Sequence, residues 1–206
     1  MPPPDLDDSD AGVSALKDQA VTGMLWNFGG HFLRVFLQFA FGVLLARLLA
    51  PEAFGLLAMV MVFSGFAQLF CELGLAAAII QKRDLDERHL SSIFWFNLGA
   101  GGILTLAFVL LAPALASFYR QPRLAPLVAA VSPVFVFSAL VIVQHSLLTR
   151  RLAFKKLFFA ESAAVLVSGA VAVLLALHGF GVWSLVCQTL LMAALQGAFL
   201  WFQGRW

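Results

Sequence analysis

The stretch that decides the fold is VTGMLWNFGGHFLRVFLQFAFGVLLARLL, which runs from Val21 to Leu49. It is long enough to cross a bilayer as one helix, because about 20 apolar residues suffice and each adds about 1.5 Å. Polar residues interrupt it at Asn27, His31, Arg34 and Gln38. Their spacing of four, three and four residues places all four side chains on one helix face, which we call the polar stripe.

Arg34 sets the environment that the polar stripe requires. An arginine at the centre of a membrane costs about 2.5 to 3.5 kcal/mol on insertion scales, so this face should meet protein or a watery cavity. Because a guanidinium does not lose its charge, we predict a cavity or ligand role for Arg34. For Asn27 and Gln38, hydrogen bonding to neighbouring helices is an equally good interpretation.

The composition places the chain in a membrane. Of its 206 residues 62% are hydrophobic and 12% are charged, and the mean hydropathy is +0.93. A soluble domain has about half apolar and about a quarter charged residues, so we expect an all-α, polytopic integral membrane protein. Its basic residues fall in short clusters between apolar runs, which argues against nucleic acid as a partner.

The apolar runs predict one bundle of six transmembrane helices over residues 13–206, preceded by a disordered, acidic, proline-rich tail at 1–12. The predicted spans are about 21–49, 54–71, 90–118, 125–148, 157–177 and 182–203. Pro133 should kink the fourth span, because it removes a backbone hydrogen bond and clashes with the preceding turn.

Small residues predict where the helices pack closely. The fifth span carries them at intervals of four, as Ala160, Ala164, Ser168, Ala172 and Ala176. In the third span Gly99, Gly101 and Gly102 allow close helix contact or local bending.

The loop charges predict the orientation, because short loops rich in Lys and Arg stay in the cytoplasm. With a cytoplasmic amino terminus, that side receives nine basic residues: Lys17, Lys82, Arg83, Arg88, Arg150, Arg151, Lys155, Lys156 and Arg205. The opposite side receives three, namely Arg47, Arg120 and Arg123. We therefore expect both termini in the cytoplasm.

The sequence offers no pattern typical of an enzyme or of a cofactor site. It has no GxSxG elbow, HExxH motif, Walker loop or GxGxxG after a strand, so we expect neither catalysis nor a cofactor. Cys71 and Cys187 lie in separate apolar runs without metal-ligand spacing. They predict no metal site and no disulfide, and both are expected to be small buried hydrophobes.

Two carboxylates, Glu72 and Glu161, are candidates for coupling or for an ion pair. Each is expected near the cytoplasmic interface, since Glu72 ends the second apolar run and Glu161 follows Lys156 by five residues. Glu161 is interpreted first as an interfacial ion pair with a nearby basic side chain. Either carboxylate is otherwise a proton or sodium site, or a partner of Arg34 that separates when substrate arrives.

A family resemblance extends from Leu16 to Trp201. It rests on ARLLAPEAFGLLAMVMVFSGFAQLFCELGLAAAIIQKR at 46–83, and on LSSIFWFN, APALASFYRQPRLAPL and GFGVWSLV later in the chain. These motifs resemble the amino-terminal region of polysaccharide exporters and oligosaccharide flippases of the multidrug/oligosaccharidyl-lipid/polysaccharide superfamily. The lipopolysaccharide and colanic-acid type is the most similar.

The resemblance implies a multi-pass transporter of the bacterial inner membrane that works among membrane lipids. Such a protein moves an undecaprenyl-diphosphate-linked oligosaccharide to the periplasmic leaflet by alternating access between two helix bundles around a cationic cavity. Arg34 then suits the diphosphate through charge-assisted hydrogen bonds, and His31, Asn27 and Gln38 suit the diphosphate or the sugar hydroxyls.

The length departs from the family pattern, because 206 residues supply only the first bundle. We expect either a fragment or truncated reading frame, or assembly with a second copy or a separate second half. Two other functions stay open. One is a multidrug or other lipid exporter of the same superfamily, which would bind apolar cations through carboxylates. The other is a non-transporting, six-helix membrane assembly factor.

Overall fold

The computed structural model describes residues 29–65, 87–150 and 154–203, and within these ranges the chain is helical, with no strand. The helices are α1 (Gly29–Leu48), α2 (Pro51–Gly65), α3 (Glu87–Phe118), α4 (Leu124–Val131), α5 (Val134–Arg150), α6 (Phe154–Leu177) and α7 (Val182–Gln203). The acidic tail and two of the candidate site residues, Asn27 and Glu72, lie outside the described residues.

Five helical stretches in the described ranges are long and apolar enough to cross a membrane: Gly29–Leu48, Phe94–Phe118, Leu124–Ile142, Phe154–Leu177 and Val182–Phe202. A shorter apolar helix, Pro51–Gly65, ends where the first described range ends. The third stretch combines α4 with the first half of α5. The prediction of an all-α, polytopic membrane bundle is confirmed.

Pro133 divides the fourth predicted span into α4 and α5. Proline has no N–H to donate to the carbonyl of Ala129, four residues earlier, so the helical ladder is interrupted there. The Ser132 hydroxyl donates to that carbonyl at 2.8 Å, and the Thr105 hydroxyl of α3 lies 3.0 Å from the carbonyl oxygen of Ser132. Side chains thus satisfy acceptors that the break exposes, as an apolar surrounding requires.

The small-residue stripe on α6 is buried along its whole length. The exposed fractions are 1% at Ala160, Ala164 and Ser168, 0% at Ala172 and 8% at Ala176. At the Ala172 end, α1, α2, α6 and α7 share an apolar cluster that consists of Leu45, Leu49, Ala53, Ala172, Ala176 and Leu185. The predicted role of the stripe in close packing is confirmed.

Glycine allows α1 to approach α6. A Cβ atom added at Gly169 would collide with the ring of Phe41 on α1. Because lipid chains are as apolar as leucine, membrane helices gain their association energy from such close van der Waals contact. This contact is one point at which α1 packs closely against α6, on the same helix that carries Arg34.

The three glycines of α3 have different surroundings. A Cβ atom at Gly101 would lie 2.8 Å from the backbone oxygen of Phe135 on α5, whereas one at Gly99 or Gly102 would meet nothing within 4 Å. Gly101 alone of the three therefore holds α3 against α5.

The prediction that Cys187 is buried was wrong, because its side chain is exposed on α7. Large apolar side chains are exposed on the other helices too, such as Phe32 at 76% and Trp95 at 66%. In a membrane bundle the outer surface meets hydrocarbon, so apolar character does not indicate burial. Cys71 lies outside the described residues.

We predict that Gly101→Ala destabilises the bundle and that Gly102→Ala does not. The first substitution forces α5 away from α3, and overpacking of this kind costs about 1 to 3 kcal/mol. Thermal unfolding of both variants in the same detergent measures the difference. Equal unfolding temperatures would show that the α3–α5 contact tolerates a methyl group.

Candidate functional site

Four polar side chains, one on each of α1, α5, α6 and α7, converge near one end of the bundle. They are Arg34, His145, Glu161 and Gln196. At about 1.5 Å per residue, Glu161 lies about 10 Å inside the start of α6, and Gln196 lies equally far from the end of α7. The helices thus bring together at one depth groups that are far apart in sequence.

Glu161 is the common partner of the other three, and we call the four residues the Glu161 cluster. Nη1 of Arg34 donates to Oε2 of Glu161 at 3.3 Å. Oε1 of Glu161 lies 3.5 Å from Nε2 of His145 and accepts a hydrogen bond from Nε2 of Gln196, also at 3.5 Å. One carboxylate therefore contacts three neighbouring helices.

The contacts of the Glu161 cluster are loose and partly exposed. The side chain of Arg34 is 31% exposed, that of His145 is 44% exposed and that of Glu161 is 20% exposed. Charge-assisted hydrogen bonds are shortest at about 2.7 to 2.9 Å, so distances of 3.3 to 3.5 Å leave room for movement. Three long contacts therefore position the carboxylate of Glu161, and none of them is a short, strong hydrogen bond.

A cavity of about 240 Å³ opens beside the Glu161 cluster. It is lined by Gly30, His31, Arg34, His145, Thr149, Phe154, Leu157, Phe158 and Glu161. These residues belong to the start of α1, the last turns of α5 and the first turns of α6, so the cavity lies at the end of the bundle where α5 gives way to α6. Gln196 is not among the lining residues and contacts Glu161 from α7.

The predicted site residues divide into three groups. Arg34 and His31 line the cavity, and Glu161 lies there too as the ion-pair partner of Arg34. Gln38 is exposed and does not line it, and its amide lies 3.9 Å from the sulfur of Met192 on α7. Asn27 and Glu72 lie outside the described residues.

Sequence reasoning missed His145, Thr149 and Gln196. His145 and Thr149 are four residues apart on α5, so both face the cavity. The signal available in the sequence was the depth of each residue in its membrane helix. His145, Glu161 and Gln196 each lie five to seven residues from the helix end that is on the same side of the bundle. Polar groups at equal depth in adjacent spans are candidates for contact.

A second cavity, of about 440 Å³, lies at the opposite end of the bundle. It is lined by Glu52, Gly55, Leu56, Met59, Gln121, Pro122 and Arg123, from the start of α2 and the turn before α4.

In the described ranges, no three His, Cys, Asp or Glu side chains come together as metal ligands. The Glu161 cluster places one cationic and one anionic side chain beside an open cavity.

Comparison with known proteins gives a consistent set of relatives. The chain is 27% identical over 157 residues to the lipopolysaccharide biosynthesis protein WzxC of Escherichia coli. This match covers 74% of this chain and 31% of that protein. It is 31% identical over 170 residues to the succinoglycan biosynthesis transport protein ExoT of Rhizobium meliloti, which covers 82% of this chain and 34% of that protein. The chain thus spans about a third of the length of these relatives.

A shorter match joins the chain to the teichuronic acid biosynthesis protein TuaB of Bacillus subtilis. The two are 34% identical over 73 residues, which are 35% of this chain and 15% of that protein. No solved structure matches the chain significantly. A family model described as polysaccharide biosynthesis protein matches residues 44–206. This match covers most of the chain, α2 to α7 included, and the chain belongs to the polysaccharide biosynthesis protein family.

Proposed function

We propose that this chain is part of a transporter that moves an undecaprenyl-diphosphate-linked oligosaccharide across the bacterial inner membrane, and that Arg34 binds the diphosphate. The observation that carries the proposal is a permanently charged guanidinium, on a membrane helix, that lines a cavity beside His31 and His145. A guanidinium offers paired N–H donors in the geometry that phosphate oxygens accept. The relatives take part in lipopolysaccharide biosynthesis and succinoglycan transport, as their names state, and this supports a polysaccharide precursor as the cargo.

The size of the cavity suits the head of this substrate. At about 240 Å³ it is smaller than the 300 to 1,000 Å³ of pockets that enclose a drug-sized ligand. A diphosphate fits such a volume, while the sugars and the prenyl chain extend beyond it. We assign His31 to the diphosphate or the first sugar, and we assign Asn27 and Gln38, which share the polar stripe, to sugar hydroxyls.

The length of the relatives suggests how the transporter is completed, because this chain spans about a third of it. Phe32, Phe36 and Phe39 are 76%, 57% and 70% exposed on the face of α1 opposite Arg34, where lipid suffices to cover them. We propose that a second bundle, supplied by a longer protein, a separate half or a second copy of this chain, meets this one at the cavity that Arg34 lines. Transport then proceeds as one bundle rocks against the other around the bound headgroup, with Glu72 or Glu161 as the coupling carboxylate.

One observation favours a second candidate, an exporter of apolar cations from the same superfamily. Glu161 lines the cavity, and a carboxylate there suits a cationic cargo. The two candidates respond oppositely to charge, because the diphosphate needs Arg34 and the cation needs Glu161. A scaffold or assembly factor that does not transport depends on neither charge.

We predict a graded loss of polysaccharide export when Arg34 is replaced. Arg34→Lys keeps the charge but loses the paired donors, so we expect about a tenfold loss. Arg34→Gln loses more, and Arg34→Glu, which repels phosphate, reduces export at least about a hundredfold. Surface polysaccharide in a strain that depends on this gene is the readout.

Membrane abundance of each variant is the control, since a variant that fails to insert says nothing about binding. Unchanged export by a normally inserted Arg34→Glu protein would overturn the diphosphate proposal and favour the scaffold. Retained export of a cationic dye, abolished by Glu161→Gln, would favour the cation exporter instead.

We also propose that both termini lie in the cytoplasm, as the loop charges predict. Alkaline phosphatase fused after Gln121 or Gly179 should be active, and fused after Arg151 it should be inactive. Green fluorescent protein at the same three positions should give the complementary pattern. Phosphatase activity only at Arg151 would invert the topology and place the cavity at the periplasmic end.

A further inference from the structure

In the Glu161 cluster the carboxylate of Glu161 occupies Arg34, a feature that the proposed function does not require by itself. Arg34 and Glu161 carry opposite unit charges and both line the cavity, so the carboxylate offsets the attraction of Arg34 for an anion. A diphosphate gains the full attraction of Arg34 only if the carboxylate leaves first. The carboxylate also has a partner outside the cavity lining, the side-chain amide of Gln196.

We infer that Glu161 is an internal anion that the substrate's phosphate displaces, that His145 is a second phosphate-binding group, and that Gln196 retains the displaced carboxylate. This inference rests on the proposed function, because it takes the diphosphate as the ligand of Arg34. It adds two residues to the site and a change of partner for a third.

The positions of the three partners around Glu161 support the exchange. Arg34 and His145 contact the carboxylate and also line the cavity, so a phosphate there reaches the same N–H donors. Gln196 contacts Oε1 but does not line the cavity. When phosphate oxygens take the first two donors, the neutral amide of Gln196 still donates to the carboxylate.

The geometry is that of a replaceable partner. The contacts of Glu161 with Arg34 and His145 measure 3.3 and 3.5 Å, and all three side chains are partly exposed. An ion pair in an apolar surrounding offsets the desolvation of its two charges only when its contacts are short and well aligned. The contacts of the Glu161 cluster are longer than that, and its partly exposed side chains leave room for a competing anion.

The exchange has a mechanical consequence. While Glu161 holds Arg34 and His145, α6 is tied to α1 and α5. Bound phosphate removes both ties and instead joins α1 to α5 across the cavity, and α6 keeps its contact with α7 through Gln196. Occupancy of the cavity thereby changes which helices are coupled, so the bundle senses its substrate.

Titration calorimetry tests the inference. It measures the binding of inorganic pyrophosphate and of farnesyl diphosphate to the 206-residue chain in detergent. Glu161→Gln removes the competing charge and keeps the shape. If Arg34 is paired in about nine of ten molecules, this variant binds about tenfold more tightly than the original chain. Glu161→Asp keeps the charge but shortens its reach, so we expect an intermediate gain, and it serves if the glutamine variant unfolds.

The control is Glu52→Gln, which removes the same charge from the cavity at the opposite end of the bundle. It should leave affinity unchanged, which separates local competition from a general change in net charge. Tighter binding by Glu52→Gln to the same extent would overturn the exchange.

His145→Ala tests the second phosphate-binding group. We expect it to weaken binding about tenfold in the original chain and again in the Glu161→Gln background. The second comparison matters because a histidine that acts only on Glu161 has no effect once the carboxylate is gone. An unchanged affinity there would remove His145 from the site.

The outcomes separate this inference from the proposed function. If no variant binds either diphosphate, or if Arg34→Ala binds as well as the original chain, the diphosphate site itself is wrong. If binding depends on Arg34 but Glu161→Gln and Glu161→Asp bind no more tightly than the original chain, the site stands and the exchange is wrong.

Discussion

The constraint on which the structure depends is a charge that cannot be neutralised by losing a proton. Arg34 lies on a helix whose other side chains are mostly apolar, and a guanidinium facing hydrocarbon is strongly unfavourable. In the bundle, Oε2 of Glu161 on α6 lies 3.3 Å from Nη1 of Arg34, and both side chains line an open cavity. The same carboxylate also contacts polar groups from α5 and α7, His145 and Gln196.

Close packing makes that pairing possible. Gly169 brings α6 against Phe41 of α1, and the buried stripe of small residues on α6 continues this contact along the helix.

At Pro133 the fourth predicted span breaks into α4 and α5, and the hydroxyls of Ser132 and Thr105 satisfy carbonyls near the break. These features serve the same requirement, because a membrane interior offers no water to a backbone group that has lost its partner.

Several parts of the fold were predictable because they depend on chemistry within one helix. The length of an apolar run, the missing N–H of Pro133 and the four-residue period of Ala160 to Ala176 are all local. The burial of Cys187 was predicted wrongly for the complementary reason. Apolar side chains face either lipid or the bundle core, and composition does not distinguish the two.

The sequence by itself determined an all-helical membrane protein, the shared helix face of His31, Arg34 and Gln38, and the likeness to polysaccharide exporters. Hydrophobic length, helical period and motifs all depend on residues that are close together in the chain. Only the tertiary structure decided that Arg34 meets Glu161, 127 residues away, and that His145 and Gln196 join them. It also separated Arg34 and His31, which line the cavity, from Gln38, which does not. The physical reason is that contact between helices depends on their rotation and relative height, which the packing of glycine and other small residues sets across the whole bundle.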